Sequence, residues 1–250
     1  SFHGKAHPLA MYRSIEEASR QTGRKVKLIE CGWFPNEGIK QAFIEARQRY
    51  CPNIEVIDVD GRRSENTLKT WAAIDIFCSL ADNIQETYGI TPIEAMASGV
   101  PVVVSDWNGY RDTVEHGIQG FRIPTTAPMA GNGTEFAFRY SAGIDSYDRY
   151  CGYVSSHTAV DVRQATDAFV NLINNEKLRR DMGNAGRKRV TQNYDWTVIF
   201  DEYLALWKEQ SKIRKSPGSC SPYVDIIPSR QDPFKLFKSW PTNILSENDE

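Results

Sequence analysis

Residues 82–109 read DNIQETYGITPIEAMASGVPVVVSDWNG, and the rest of the chain can be placed from them. The apolar run Ile74–Leu80 comes just before and reads as a buried strand. A polar loop, Ala81–Gly89, follows. Thr91-Pro92-Ile93-Glu94 then has the form of a helix start: Thr91 as N-cap, Pro92 at the first helical position, Glu94 three residues after the cap. Helix formers fill Glu94–Ala97, and Gly99 stands where a C-terminal cap is expected. The short β-branched run Val100–Val104 reads as a second buried strand, taken to Ser105. The unit is strand, loop, helix, strand, with Glu86 and Glu94 separated by seven residues.

That spacing has a chemical meaning. The free N–H groups at the start of a helix point back towards the loop and favour an anion, phosphate in particular. The amides of Gly89, Ile90 and Thr91 are the expected donors, and Gly89 allows a ligand close to the backbone. Carboxylates flanking such a site would repel phosphate, so Glu86 and Glu94 are expected to accept hydrogen bonds from hydroxyls on either side of it. A ligand with hydroxyls, then phosphates, then hydroxyls is a nucleotide sugar. The plainer reading of Glu94 is a capping box, which stabilises a helix by roughly 0.5–2 kcal/mol without any ligand. The plainer reading of Glu86 is a solvated loop acid.

Glu86-x7-Glu94 followed by Ala95-Met96-Ala97-Ser98-Gly99-Val100-Pro101-Val102-Val103 resembles the signature of retaining glycosyltransferases of the GT-B fold, family 4 type (glycosyl transferases group 1). The resemblance continues through Gly109–Val114 and Gly117–Phe121, follows the order of elements over about Phe2–Lys208, and is most specific over residues 79–121. It implies that Glu86 contacts the donor sugar, that Glu94 binds the ribose hydroxyls, and that backbone amides between them hold the diphosphate. Gly4-Lys5 stands where the family has Gly-Arg, so Gly4 and Lys5 are expected at the diphosphate. The second cation of the family is missing from Ala6-His7-Pro8-Leu9, where His7 is the substitute at hand. The implied reaction moves a sugar from a nucleoside diphosphate sugar to a sugar, glycan or lipid-linked acceptor with retention at the anomeric carbon. The leaving group departs from the face that the acceptor attacks, and Glu86 steadies developing positive charge rather than acting as a nucleophile. No metal or other cofactor is expected, because basic residues and helix amides offset the diphosphate charge.

Composition narrows the field. The chain has 250 residues, 40% hydrophobic and 25% charged, as globular proteins do. Thirty basic against 32 acidic residues leave a net charge of −2, which argues against a nucleic-acid binder working through bulk charge. No run approaches the ~18 apolar residues of a membrane helix, and no signal peptide opens the chain. Cys31, Cys51, Cys78, Cys151 and Cys220 have no metal or disulfide spacing, which points to a reducing, cytoplasmic compartment.

Taken in order, the chain alternates strands and helices. Phe2–Gly4 reads as a strand end, Met11–Thr22 as a helix, Val26–Glu30 as a strand, and Asn36 as the cap of a helix to Tyr50. Ile54–Val59 is a strand, Glu65–Ala73 a helix, Ile74–Ser79 the fourth strand, Tyr110–His116 a helix and Phe121–Ile123 the last strand. The expected fold is α/β, a Rossmann-like doubly wound parallel sheet of about six strands in order 3-2-1-4-5-6, with loops after strands one and four meeting at the ligand site. Thr125–Thr158 shows no clear element and reads as an insertion; its six aromatic residues predict an ordered segment with Phe136, Phe138 and Tyr140 packed on apolar surface. Val160–Asn174, Glu176–Asn193 and Trp196–Gln210 read as helices. Residues 1–210 thus form one nucleotide-sugar-binding domain, with 211–250 a proline-containing tail or linker. By the resemblance this is the C-terminal, donor-binding half of a GT-B fold, expected to be inactive without an N-terminal acceptor domain. Alternatives are a nucleotide-sugar epimerase or phosphorylase of the same fold, or a non-catalytic nucleotide-binding or interaction module. A dehydrogenase is disfavoured, because Gly131-Asn132-Gly133 is not a dinucleotide fingerprint.

Overall fold

A computed structural model describes residues 7–216. Helix α1 (Leu9–Thr22) places Tyr12, Ile15 and Ala18 on one buried face at helical spacing and leads into strand β1 (Lys27–Gly32). The Asn36 side chain accepts from the Ile39 amide at 2.9 Å and caps α2 (Glu37–Tyr50), as expected. Strand β2 (Glu55–Asp60), helix α3 (Ser64–Ala73) and strand β3 (Phe77–Ser79) follow. Then come α4 (Ile90–Ala97), β4 (Val102–Ser105), the single turn α5 (Tyr110–Thr113) and β5 (Gly120–Ile123).

The parallel pairs are β1 with β2 (Lys27 opposite Glu55), β3 with β4 (Phe77 opposite Val102) and β4 with β5 (Val102 opposite Gly120). The strands therefore stand as β2-β1 and β3-β4-β5, in the succession expected for the second to sixth strands. The expected strand end Phe2–Gly4 lies outside the described residues.

Both sheet faces are covered, as a parallel sheet requires. All of Val102–Ser105 is buried, and alternate residues join different cores. Val103 packs with Tyr12, Ile15, Phe169 and Leu172. Val102 and Val104 pack with Ala95, Met96 and Tyr110. Helix α8 (Val162–Asn174) supplies Ala165, Ala168, Phe169 and Leu172 to the first core, and its cap Asp161 accepts from the Gln164 amide at 3.0 Å. Fully burying a side chain such as Leu172 is worth about 1.5–3 kcal/mol. Helix α9 (Glu176–Asn193) crosses α4 where Gly186 leaves room for Met96.

Residues 125–158 are not structureless. A two-residue antiparallel pair, β6 (Thr125–Thr126) with β7 (Ala159–Val160), closes their neck. Above it stand α6 (Thr134–Ser141) and α7 (Tyr147–Ser156), the latter capped by Ser146. The packing expected of three aromatics is corrected. Phe136 stacks on Tyr153, with ring centroids 5.5 Å apart, and Tyr140 stacks on Tyr150 at 5.2 Å, but Phe138 is 65% exposed. The rings of α6 and α7 pair with one another, while α7 turns Cys151 and Ser155 inward.

The chain divides after Asp195 into two compact units. The second holds α10 (Trp196–Lys215), which runs five residues past the expected Gln210 and packs Phe200 and Tyr203 against Trp207 along its own length.

Candidate functional site

The loop between β3 and α4 is held at its carbonyls by the end of β4 and the segment that follows it. The Ser105 hydroxyl donates to the Ala81 carbonyl at 2.5 Å, and the Trp107 indole N–H donates to Asn83 at 3.2 Å. The Asn108 amide donates to Glu86 at 3.5 Å, and the Gly109 N–H to Thr87 at 3.2 Å. Inside the loop the Asn83 side chain accepts from the Gln85 amide at 3.0 Å, an Asx turn. A polar loop of this length is thereby fixed before any ligand arrives.

The start of α4 differs from the expected capping box. The cap is Gly89, at φ 75°, and no side chain caps the helix, so Thr91 lies in the first turn and Glu94 in the second. The reason lies 21 residues downstream. A β-carbon on Gly89 would run into the Tyr110 ring, so only glycine allows both the left-handed turn and the packing of that ring. The helix consequently begins before Thr91, and the amides of Gly89, Ile90 and Thr91 are at its open end.

The two carboxylates have unlike surroundings. Glu94 is exposed, and with Thr91, one turn before it, lies at the carboxyl ends of β1 and β3. Gly32, Trp33, Gly61 and His7 stand on the same wall there. Ile90 is 64% exposed. Glu86 is 4% exposed and is not part of that wall. It lies beside Tyr110, whose hydroxyl is 2.7 Å from that of Ser79. Burial, and after it the Glu86 carboxylate, lift the Tyr110 phenol above its usual value, and Ser79 opposes the shift. Gly4 and Lys5 lie outside the described residues. Among the described residues no three His, Cys, Asp or Glu side chains gather as a cation site would need, and Cys31, Cys51, Cys78 and Cys151 are free thiols.

Sequence reasoning missed Asp82. Its carboxylate is 3% exposed, accepts from the Ser155 hydroxyl at 2.6 Å, and accepts from the His7 backbone N–H at 3.1 and 3.2 Å. Burial lifts it above the usual carboxylate range, and the Ser155 and His7 donors offset part of the shift. An aspartate directly before Asn83 at the end of a buried strand was the available signal.

This arrangement, an open helix start after a pinned loop at the carboxyl ends of parallel strands, belongs to a known class. The chain is a member of the glycosyl transferases group 1 family, whose model matches residues 7–132, just over half of its length. A curated relative, the phosphatidyl-myo-inositol mannosyltransferase of Mycobacterium leprae, is 29% identical over 135 residues, covering 54% of this chain and 26% of the relative. Among solved structures, HepE of Anabaena in complex with UDP matches with a TM-score of 0.55 at 18% identity, over 82% of this chain and 47% of that one. The C-terminal domain of a glycosyl transferase group 1 family protein from Francisella tularensis matches with a TM-score of 0.50 at 17% identity, over 76% of this chain and 82% of that one. The fold is that of GT-B glycosyltransferases, and the chain spans about a quarter of the length of the M. leprae relative. Among the described residues no helix is long and apolar enough to cross a membrane.

Proposed function

We propose that this chain is the donor-binding domain of a retaining glycosyltransferase of the family 4 type and binds a nucleoside diphosphate sugar. The observation that carries the reading is the placement of Thr91 and Glu94 one turn apart on α4, behind a helix start that no side chain caps and beside Gly32 and Trp33 at the carboxyl end of β1. The Gly89, Ile90 and Thr91 amides hold the diphosphate with Gly4 and Lys5, and Glu94 takes the ribose hydroxyls. Glu86, backed by Tyr110, faces the sugar and steadies charge at the anomeric carbon as the diphosphate leaves. The acceptor, a sugar, glycan or lipid-linked sugar, is held by a second domain of the longer protein in the cytoplasm. Family membership and the UDP present in the Anabaena structure support the choice of donor class.

Calorimetry tests the reading. The chain titrated with UDP, GDP and ADP should bind at least one, and Glu94→Ala should weaken it by roughly tenfold or more, the loss of a charge-assisted hydrogen bond. No heat with any of the three at millimolar concentration would refute donor binding.

A further inference from the structure

Asp82 joins three parts of the chain that are far apart in sequence. It opens the loop Ala81–Gly89, its oxygens hold the amide of His7 just ahead of α1, and its Oδ1 receives the Ser155 hydroxyl from α7. The bond from Ser155 is short and buried, and links positions 73 residues apart. Cys151, one turn earlier on α7, is buried as well, so α7 has an inward face at Cys151 and Ser155. The neck formed by Thr125–Thr126 and Ala159–Val160 anchors the hairpin close behind that face. A buried carboxylate needs donors, and here one of its donors comes from the inserted hairpin.

We propose that the α6–α7 hairpin is a positioning device for the donor site, with Ser155 as the positioning residue that acts through Asp82. This rests on the donor-site reading above. Without the Ser155 hydroxyl, the carboxylate keeps, among the described residues, backbone amides and no other side-chain hydroxyl, and can turn away from α7. The loop then loses one of the contacts that keep the Gly89–Thr91 amides and the segment at His7 in register. The hairpin thus sets how well the diphosphate is received while touching none of it.

The test uses the 250-residue chain. Ser155→Ala is compared with wild type and with Ser156→Ala, whose hydroxyl donates to the Tyr153 carbonyl on the exposed side of the same helix. Amide hydrogen exchange is followed over residues 82–89, and affinity for UDP, GDP and ADP is measured by calorimetry. The expected result is faster exchange over 82–89 and about tenfold weaker binding for Ser155→Ala, with neither change in Ser156→Ala. Ser155→Thr, which keeps the hydroxyl, should restore affinity to within about threefold of wild type. Wild-type affinity in Ser155→Ala overturns the proposal, whether or not exchange rises. A wild-type chain that binds none of the three nucleotides is instead a failure of the donor reading itself.

Discussion

Gly89 and Tyr110 occupy one another's space: the buried Tyr110 ring lies where any side chain at position 89 would begin. The pair couples the end of the site loop to α5. It also sets where α4 starts, and so which amides are open to a ligand. Gly89→Ala meets both a left-handed backbone (φ 75°) and the ring, whereas Gly23→Ala meets a left-handed backbone (φ 63°) with nothing nearby. The first should lower stability by roughly 2–5 kcal/mol and the second by about 1–2 kcal/mol. Urea unfolding of the two variants checks this; equal losses would mean that Tyr110 gives way freely.

Glu94→Ala and Glu86→Ala should separate in opposite ways. Glu94 is exposed and caps nothing, so its loss should change stability by no more than about 0.5 kcal/mol while weakening nucleotide binding. Glu86 is buried beside Tyr110, so its loss should cost about 1–3 kcal/mol and leave free nucleotide affinity nearly intact. Melting curves with and without UDP, GDP or ADP give both quantities. The same profile for the two variants would contradict the division of roles.

Asp82 should make stability depend on pH in the reverse of the usual carboxylate sense. Its folded value is raised by burial, while in the unfolded chain it titrates near about 3.9. Between those values the folded state holds more protons, so its contribution is favourable below the window and is lost as pH rises through it. Asp82→Asn cannot ionise, and its stability relative to wild type should climb as pH rises from about 3.9 through the raised folded value. A difference that stays flat across that range would show that the buried carboxylate carries no desolvation cost.

The chain by itself should transfer no sugar. Retaining transfer needs an acceptor aligned with the donor, and the proposal assigns the acceptor to a second domain. Incubation with the nucleotide sugar that binds best and a panel of sugar acceptors, read by mass spectrometry, checks this. Sustained glycosylated product would contradict the two-domain account.

Much of the fold was legible because its signals are local. Asn36 before an apolar-periodic run marked α2, and the boundaries of α9 follow from helix formers between Asn175 and Tyr194. The run Val100–Ser105 marked a strand buried on both faces. What could not be read depends on distant partners. Thr91-Pro92-Ile93-Glu94 looks like a capping box until Tyr110 is known to sit against Gly89, which starts the helix earlier. The expected helix Tyr110–His116 stops at Thr113, with the His116 ring turned to the backbone of Arg122 instead. Helices α6 and α7 gain their order from Phe136–Tyr153 and Tyr140–Tyr150 stacking across a turn, which no window within one helix displays. The position of Asp82 before Asn83 is a local signal, but its partner is not, because Ser155 comes from the insertion.

The central claim is that the start of α4 and the loop before it receive a nucleoside diphosphate. Amide chemical-shift mapping of the chain titrated with UDP-, GDP- and ADP-sugars tests it residue by residue. The account predicts that at least one donor shifts the amides of Gly89, Ile90, Thr91 and Glu94 together, in a saturable manner. Shifts confined to other parts of the chain, or none with any donor at millimolar concentration, would contradict it.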